Sequence, residues 1–145
     1  MTLTATKTKT EILIEKKLHL AAPKSRVFDH LTRADLLASW FHRAEADLVQ
    51  GQPFRLLGSE SQDPICWGEV LEIRAPDYMK WSFTVAPAEG QMSTVEWWLS
   101  DTPGGTLLVL RHSGLPQAAE ALGLTRALDK GWHGFLNTLI ALCEG

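Results

Sequence analysis

Apolar side chains toward the C-terminus fall at spacings of three and four. Leu124, Leu128, Trp132, Phe135, Leu136, Leu139, Ile140 and Cys143 make one stripe, while Arg126, Asp129, Lys130, His133, Asn137 and Glu144 fill the other side. That period predicts one long amphipathic α-helix. Upstream the period shortens to two, which predicts strands. A single helix must lay its stripe on something, and the pattern offers one partner, a face of an antiparallel sheet. Gly131 and Gly134 flank Trp132. Each costs roughly 1 kcal/mol of helix propensity relative to Ala. The pair therefore predicts close approach, a local bend or room beside the helix.

Taken in order, Ile12, Ile14, Leu18 and Leu20 share a face of a first strand over 11–20, with Lys16 as the one interruption. Pro23 suits the first turn of a helix. Two short helices are predicted, one over 24–31 with Val27, Phe28 and Leu31, the next over about 34–39 with Leu36, Leu37 and Trp40. Both are too short to stand alone and must cap one end of the sheet. Residues 43–49 and 52–58 predict a hairpin about Gln50-Gly51, with Phe54 and Leu56 on one face. A polar loop over 59–64 leads to strands over 65–74 and 78–85, joined by a turn at Ala75-Pro76-Asp77. Pairing Ile73 with Met79 puts Leu71 opposite Trp81, Glu69 opposite Phe83 and Trp67 opposite Val85. Glu69 then points to the apolar face, unless a β-bulge near Gly68 turns it to solvent. A loop over 86–91 precedes two last strands. Val95, Trp97 and Leu99 face inward from 92–100, and Thr106, Leu108, Leu110 and His112 from 105–112. Ser113-Gly114-Leu115-Pro116 leaves the sheet, and 117–122 is a short helix or a lid.

The order is strand, two short helices, six strands, long helix. It predicts an α+β domain over 11–145, a curved antiparallel sheet of about seven strands wrapped around its C-terminal helix. Curling buries the helical stripe and shortens the exposed sheet edges. Residues 1–10 are Thr/Lys-rich, with no apolar block for a secretory signal, and read as a flexible tail.

Composition narrows the function classes. The chain has 145 residues, 45% of them hydrophobic and 21% charged, with a formal net charge of −3. That length suits one domain with a core of its own. A weakly acidic chain without a basic run is a poor binder of nucleic acid or anionic membranes. No apolar run reaches the ~18 residues of a membrane span. Cys66 and Cys143 have no metal or redox spacing, so two free thiols in a reducing cytoplasm are expected. Six tryptophans must fill a core or line a pocket. A buried indole N–H needs a partner, which is easier to supply around a partly wet cavity.

Several short motifs occur in a telling order: Ala22-Pro23 then Val27-Phe28, Trp40-Phe41, Gly51 before Phe54, Gly68-Glu69-Val70, Gly105 through Gly114, and Gly131-Trp132. In this order and spacing the chain resembles the START-related, birch-pollen-allergen-like (SRPBCC) superfamily with its helix-grip fold. Within it, the chain is most similar to the domain of activators of the 90-kDa heat-shock chaperone ATPase and their bacterial relatives. The resemblance implies an apolar cavity between the long helix and the concave sheet, opening near the short helices and strand loops. It implies that many members bind lipids, hormones or other hydrophobic small molecules, and that some cyclise or dehydrate polyketides. It also implies that the chaperone activators carry a further domain. The 145 residues leave no room for it, so co-chaperone activity is not expected to follow from the family. Function lives in the site rather than in the fold.

No catalytic set stands out. His19, His30, His42, His112 and His133 form no pair at helical ligand spacing, so no zinc site of that kind is predicted. There is no nucleophile elbow and no phosphate loop. No cofactor is expected. His112 ends a strand on the face of Leu108 and Leu110, where an imidazole either orients a ligand, acts as an acid or base, or bonds a loop carbonyl as a structural residue. Glu69, if inward, is a carboxylate of raised pKa and a candidate acid. Trp40, Phe41, Trp67, Trp81, Phe83, Trp97, Trp132, Phe135 and Leu136 are expected to converge on one interior, joined by His112 as the polar group of a largely apolar pocket. Trp98 has the opposite parity to Trp97 and points outward, as part of a homodimer interface or covered by a neighbouring side chain.

The reading is a cytoplasmic domain that binds a hydrophobic or aromatic small molecule in its interior without catalysis. The alternatives are a polyketide cyclase or dehydratase using His112, joined by Glu69 if it faces inward, and a co-chaperone-like or regulatory module that engages a protein through its outer face.

Overall fold

A computed structural model describes residues 12–57, 64–85, 92–115 and 122–144. The predicted tail over 1–10, most of the polar loop over 59–64, the loop over 86–91 and the segment 117–121 lie outside the described residues. The elements are β1 (Ile12–Leu20), α1 (Lys24–Thr32), α2 (Ala34–Trp40), β2 (Arg43–Ala44), β3 (Pro53–Leu57), β4 (Pro64–Arg74), β5 (Tyr78–Val85), β6 (Ser93–Thr102), β7 (Gly105–Leu115) and α3 (Leu122–Glu144). All the strands form one antiparallel seven-stranded sheet in the order β1-β7-β6-β5-β4-β3-β2. The sheet curves around α3, and α1 and α2 close one end. This is the predicted α+β helix-grip architecture.

The α3 stripe seats as its spacing requires. Trp132, Leu136, Leu139 and Cys143 are buried against the sheet, and Leu128, Phe135 and Ile140 pack partly buried beside them. Each large apolar side chain removed from water stabilises by about 1.5–3 kcal/mol. Polar contacts set the register. Lys16, the interruption in the β1 pattern, reaches up to Asp129 of α3 at 2.7 Å. The far end of α3 is held by Arg26, which donates to the Cys143 carbonyl at 3.0 Å, and by Glu144, which accepts from the Ala21 amide at 3.0 Å. A cation suits the carbonyl end of a helix.

Four local expectations need correction. Pro23 is the N-cap of α1, one position outside the helix. It is extended, and its carbonyl accepts from the Arg26 and Val27 amides. The predicted strand over 43–49 shrinks to Arg43–Ala44. Downstream, Asp47 caps α2 by accepting from the Ala34 amide at 2.8 Å, and the Leu48 amide donates to the Thr32 carbonyl at 2.8 Å. The helix junction thus claims backbone that hairpin periodicity assigns to a ladder. β7 runs on through Leu115, because Ser113 pairs with Thr94 and Leu115 with Ile12. Finally, Ile73 does pair with Met79, but the bulge in β4 falls at Leu71 rather than near Gly68. Val70 therefore lies opposite Trp81, Gly68 opposite Phe83 and Cys66 opposite Val85.

Candidate functional site

The bulge at Leu71 decides which β4 side chains meet the interior. Val70 and Cys66 are buried under the helix, whereas Glu69 is exposed and Trp67 half-buried on the opposite parity. Glu69 is therefore outside the interior, and Trp67 does not join the aromatic cluster expected of it. The rest of that cluster assembles. Trp81 and Phe83 come from β5, Trp97 from β6, Trp40 from the end of α2, and Trp132 and Leu136 from α3, all buried. Phe41, half-buried in the joint between α2 and β2, stacks between Trp40 (5.1 Å between centroids) and Trp132 (5.2 Å). Phe135 meets Phe41 edge-on at 4.9 Å. Trp97 lies edge-on to Trp132 at 5.6 Å and to Trp40 at 6.2 Å. Edge-to-face packing sets the positive rim of one ring against the π face of the next.

A hydrogen-bonded chain crosses this apolar interior. The Trp132 indole N–H donates to His112 Nδ1 at 3.0 Å. His112 Nε2 lies 2.7 Å from Ser93 Oγ, which donates to the Phe83 carbonyl at 2.9 Å. An indole can only donate, so Nδ1 must accept. Nε2 then carries the proton and donates to Ser93. The chain runs in one direction and settles the tautomer of a neutral imidazole. Burial agrees, since it lowers the His112 pKa to about 4. Both ring nitrogens are engaged, and His112 braces Trp132 against Ser93 of β6. The Trp40 indole N–H donates to the His30 carbonyl at 2.7 Å. The buried Trp81 and Trp97 indole N–H groups have no hydrogen-bond acceptor among the described residues.

A cavity of about 150 Å³ lies between α3, the α2–β2 joint and the sheet. The helix contributes Leu128, Gly131, Trp132 and Phe135, the α2–β2 joint Phe41 and His42, and the sheet Cys66, Phe83 and Val85. It reaches the surface beside the exposed Ala127. The room anticipated beside the helical glycines is here: a Cβ on Gly131 would meet only the Phe135 ring, at 3.8 Å. Of the residues named for the pocket, Phe41, Phe83, Trp132 and Phe135 line the cavity. Trp40, Trp81, Trp97, Leu136 and His112 stand behind it in the core. His42, Cys66, Val85 and Leu128 also line it, although none was among the residues named for the pocket. The Cys66 thiol is pushed up to about 12 by burial, which keeps it protonated and unreactive. Neither cysteine is bonded to the other. Among the described residues there is no cluster of metal-binding side chains, and no helix is long and apolar enough to cross a membrane.

On the outer face, Trp98 is half-buried beneath its neighbours. The Arg111 guanidinium lies over its ring at 5.5 Å and the Tyr78 ring packs against it at 5.5 Å. Arg111 is held in turn by Glu15 at 2.9 Å, and Tyr78 donates to Glu96 at 2.7 Å. A covered indole among paired charges offers little apolar area to a second copy. Trp98→Ala is accordingly expected to leave the oligomeric state unchanged by light scattering. A shift in mass would place Trp98 in an interface.

A curved antiparallel sheet gripping one long helix, with an apolar cavity at their seam, defines a helix-grip protein of the START-related superfamily. Within that superfamily the chain belongs to the family described as activator of Hsp90 ATPase homolog 1-like protein, whose model matches residues 21–144. No match is found among curated proteins. Among solved structures, protein MLL2253 from Mesorhizobium loti is 21% identical with a TM-score of 0.78, over 90% of this chain and 96% of that one. CalU16 from Micromonospora echinospora is 28% identical with a TM-score of 0.67, over 89% and 73%. The Aha1 dimer from Colwellia psychrerythraea is 16% identical with a TM-score of 0.77, over 92% and 96%.

Proposed function

We propose that the protein binds an apolar, ring-sized small molecule in the cavity between α3 and the sheet, without catalysing its conversion. The cavity itself carries the reading. Among the described residues its walls are hydrocarbon and aromatic, apart from the His42 imidazole and the Cys66 thiol. An apolar cavity of about 150 Å³ is the size that holds benzene, as known from an engineered site in another protein. Pockets for drug-sized ligands run to about 300–1,000 Å³. The expected occupant is therefore one aromatic ring, or the ring end of a longer molecule that extends past Ala127. A cyclase or dehydratase using His112 and Glu69 finds no support in this geometry, since one is fully engaged in the core and the other is on the outer face. Buried free thiols suit a cytoplasmic location.

Titration with benzene tests the proposal, with the Trp132 indole N–H resonance as reporter. Saturable shifts are expected in the wild type. Gly131→Leu should fill the cavity and abolish those shifts while raising stability by about 1 kcal/mol, because Gly is a poor helix former. No saturable shift in the wild type, or undiminished benzene affinity in a folded Gly131→Leu protein, would remove the cavity as a binding site.

A further inference from the structure

Among the described residues, the cavity has one side chain whose strong hydrogen-bonding capacity is left unused. His42 sits in the joint between α2 and β2, half-buried at the cavity wall. Its ring is wedged between Phe41, at 4.5 Å between centroids, and Phe135, at 5.0 Å. These contacts hold the imidazole in place without using its nitrogens, and neither nitrogen bonds to a described residue. Of the other described lining side chains, only the Cys66 thiol is polar, and a thiol is a weak donor and a weak acceptor. A ring that carries a polar group would enter such a cavity at a loss unless that group found a partner.

We propose that His42 is a specificity-determining residue of this cavity, whose imidazole pairs with a neutral polar substituent on the bound ring and so selects phenol-like aromatics over plain hydrocarbons. The inference rests on the cavity reading above and names its ligand class. Among the described residues the lining holds no Lys, Arg, Asp or Glu to pair with a charged substituent, which favours a neutral one. Burial also lowers the His42 pKa, so the imidazole is itself uncharged near neutral pH and can donate from one nitrogen and accept at the other.

Dissociation constants for benzene, phenol and benzoate, measured by NMR on the wild type, His42→Phe and His42→Gln, test this. Phenylalanine keeps the ring contacts to Phe41 and Phe135 but cannot hydrogen-bond. In His42→Phe, the preference for phenol over benzene should fall roughly five-fold, the usual worth of one hydrogen bond. His42→Gln, which retains a donor and an acceptor, should preserve most of the phenol preference. Benzoate should bind more weakly than phenol to the wild type. The same phenol-to-benzene ratio in the wild type and His42→Phe, or tighter binding of benzoate than of phenol, would overturn the role of His42 while leaving the cavity reading intact. Failure of both benzene and phenol to bind the wild type would overturn the two together.

Discussion

His112→Leu is expected to destabilise the protein by about 2 kcal/mol at pH 7.5, the cost of leaving the buried Trp132 N–H without an acceptor. It should also remove most of a loss of stability in acid. Burial lowers the His112 pKa from its ordinary 6.5 to about 4. Between those values the unfolded chain binds a proton that the folded chain excludes. Stability therefore falls as the pH drops from 6.5 toward 4 and levels off below, by about 3 kcal/mol in all. A protonated imidazole would present an N–H at each nitrogen and oppose the indole donor head-on. Leucine has nothing to titrate, so the gap between the two proteins should close as the pH falls, and near pH 4 the variant should match or exceed the wild type. His42, whose pKa burial also lowers, and Glu15, whose pKa is lowered chiefly by its Arg111 partner, add acid sensitivity of their own. Both are present in the two proteins and drop out of the difference. Urea unfolding at pH 7.5, 5.5 and 4.5 measures it. A gap independent of pH would mean that His112 is not held neutral by the fold.

His112 also marks how far side-chain periodicity reaches. Alternation over 105–112 puts the residue on the inner face beside Leu108 and Leu110, and there it is. A structural histidine was among the readings left open, with a loop carbonyl as its partner. Alternation carries no information on partners, so a Trp–His–Ser chain from three elements, separated by 19 and 20 residues, is invisible to it. The long helix was legible because eight stripe positions constrain one phase. Strand β4 was half-legible. A one-residue slip moves every side chain to the other face, and the bulge at Leu71 makes that slip for the segment holding Cys66, Trp67 and Glu69. The β2 region failed for another reason. Asp47 and Leu48 find partners at the α1–α2 junction, and no hydrophobic pattern announces a capping bond of that kind. His42 was overlooked because it belongs to no periodic element, and joints between elements are where sites are commonly placed.

Gly68→Ala and Gly105→Ala should each cost on the order of 3 kcal/mol or more, among the larger effects of single substitutions. In both cases the cause is backbone against backbone. A Cβ on Gly68 would overlap the Ser82 carbonyl and crowd the Phe83 Cα, and one on Gly105 would overlap the Leu20 carbonyl and crowd the Ala21 Cα. A strand carbonyl cannot turn aside as a flexible side chain can, so the strands must part. Gly105 begins β7 and lies against the end of the edge strand β1. Gly68 lies across from Phe83, so the strain would reach a wall of the cavity. Gly134→Ala supplies the control, because its Cβ would meet nothing within 4 Å on the helix surface. It should stabilise by about 1 kcal/mol. For a domain of this size 1 kcal/mol is roughly 3–5 °C in Tm. The two strand variants should therefore melt about 10 °C or more below the wild type, and Gly134→Ala a few degrees above it. Near-wild-type melting of Gly68→Ala would mean that β4 and β5 sit farther apart in solution than described here, and the cavity walls with them. Near-wild-type melting of Gly105→Ala would loosen the β1 edge alone and leave the site untouched.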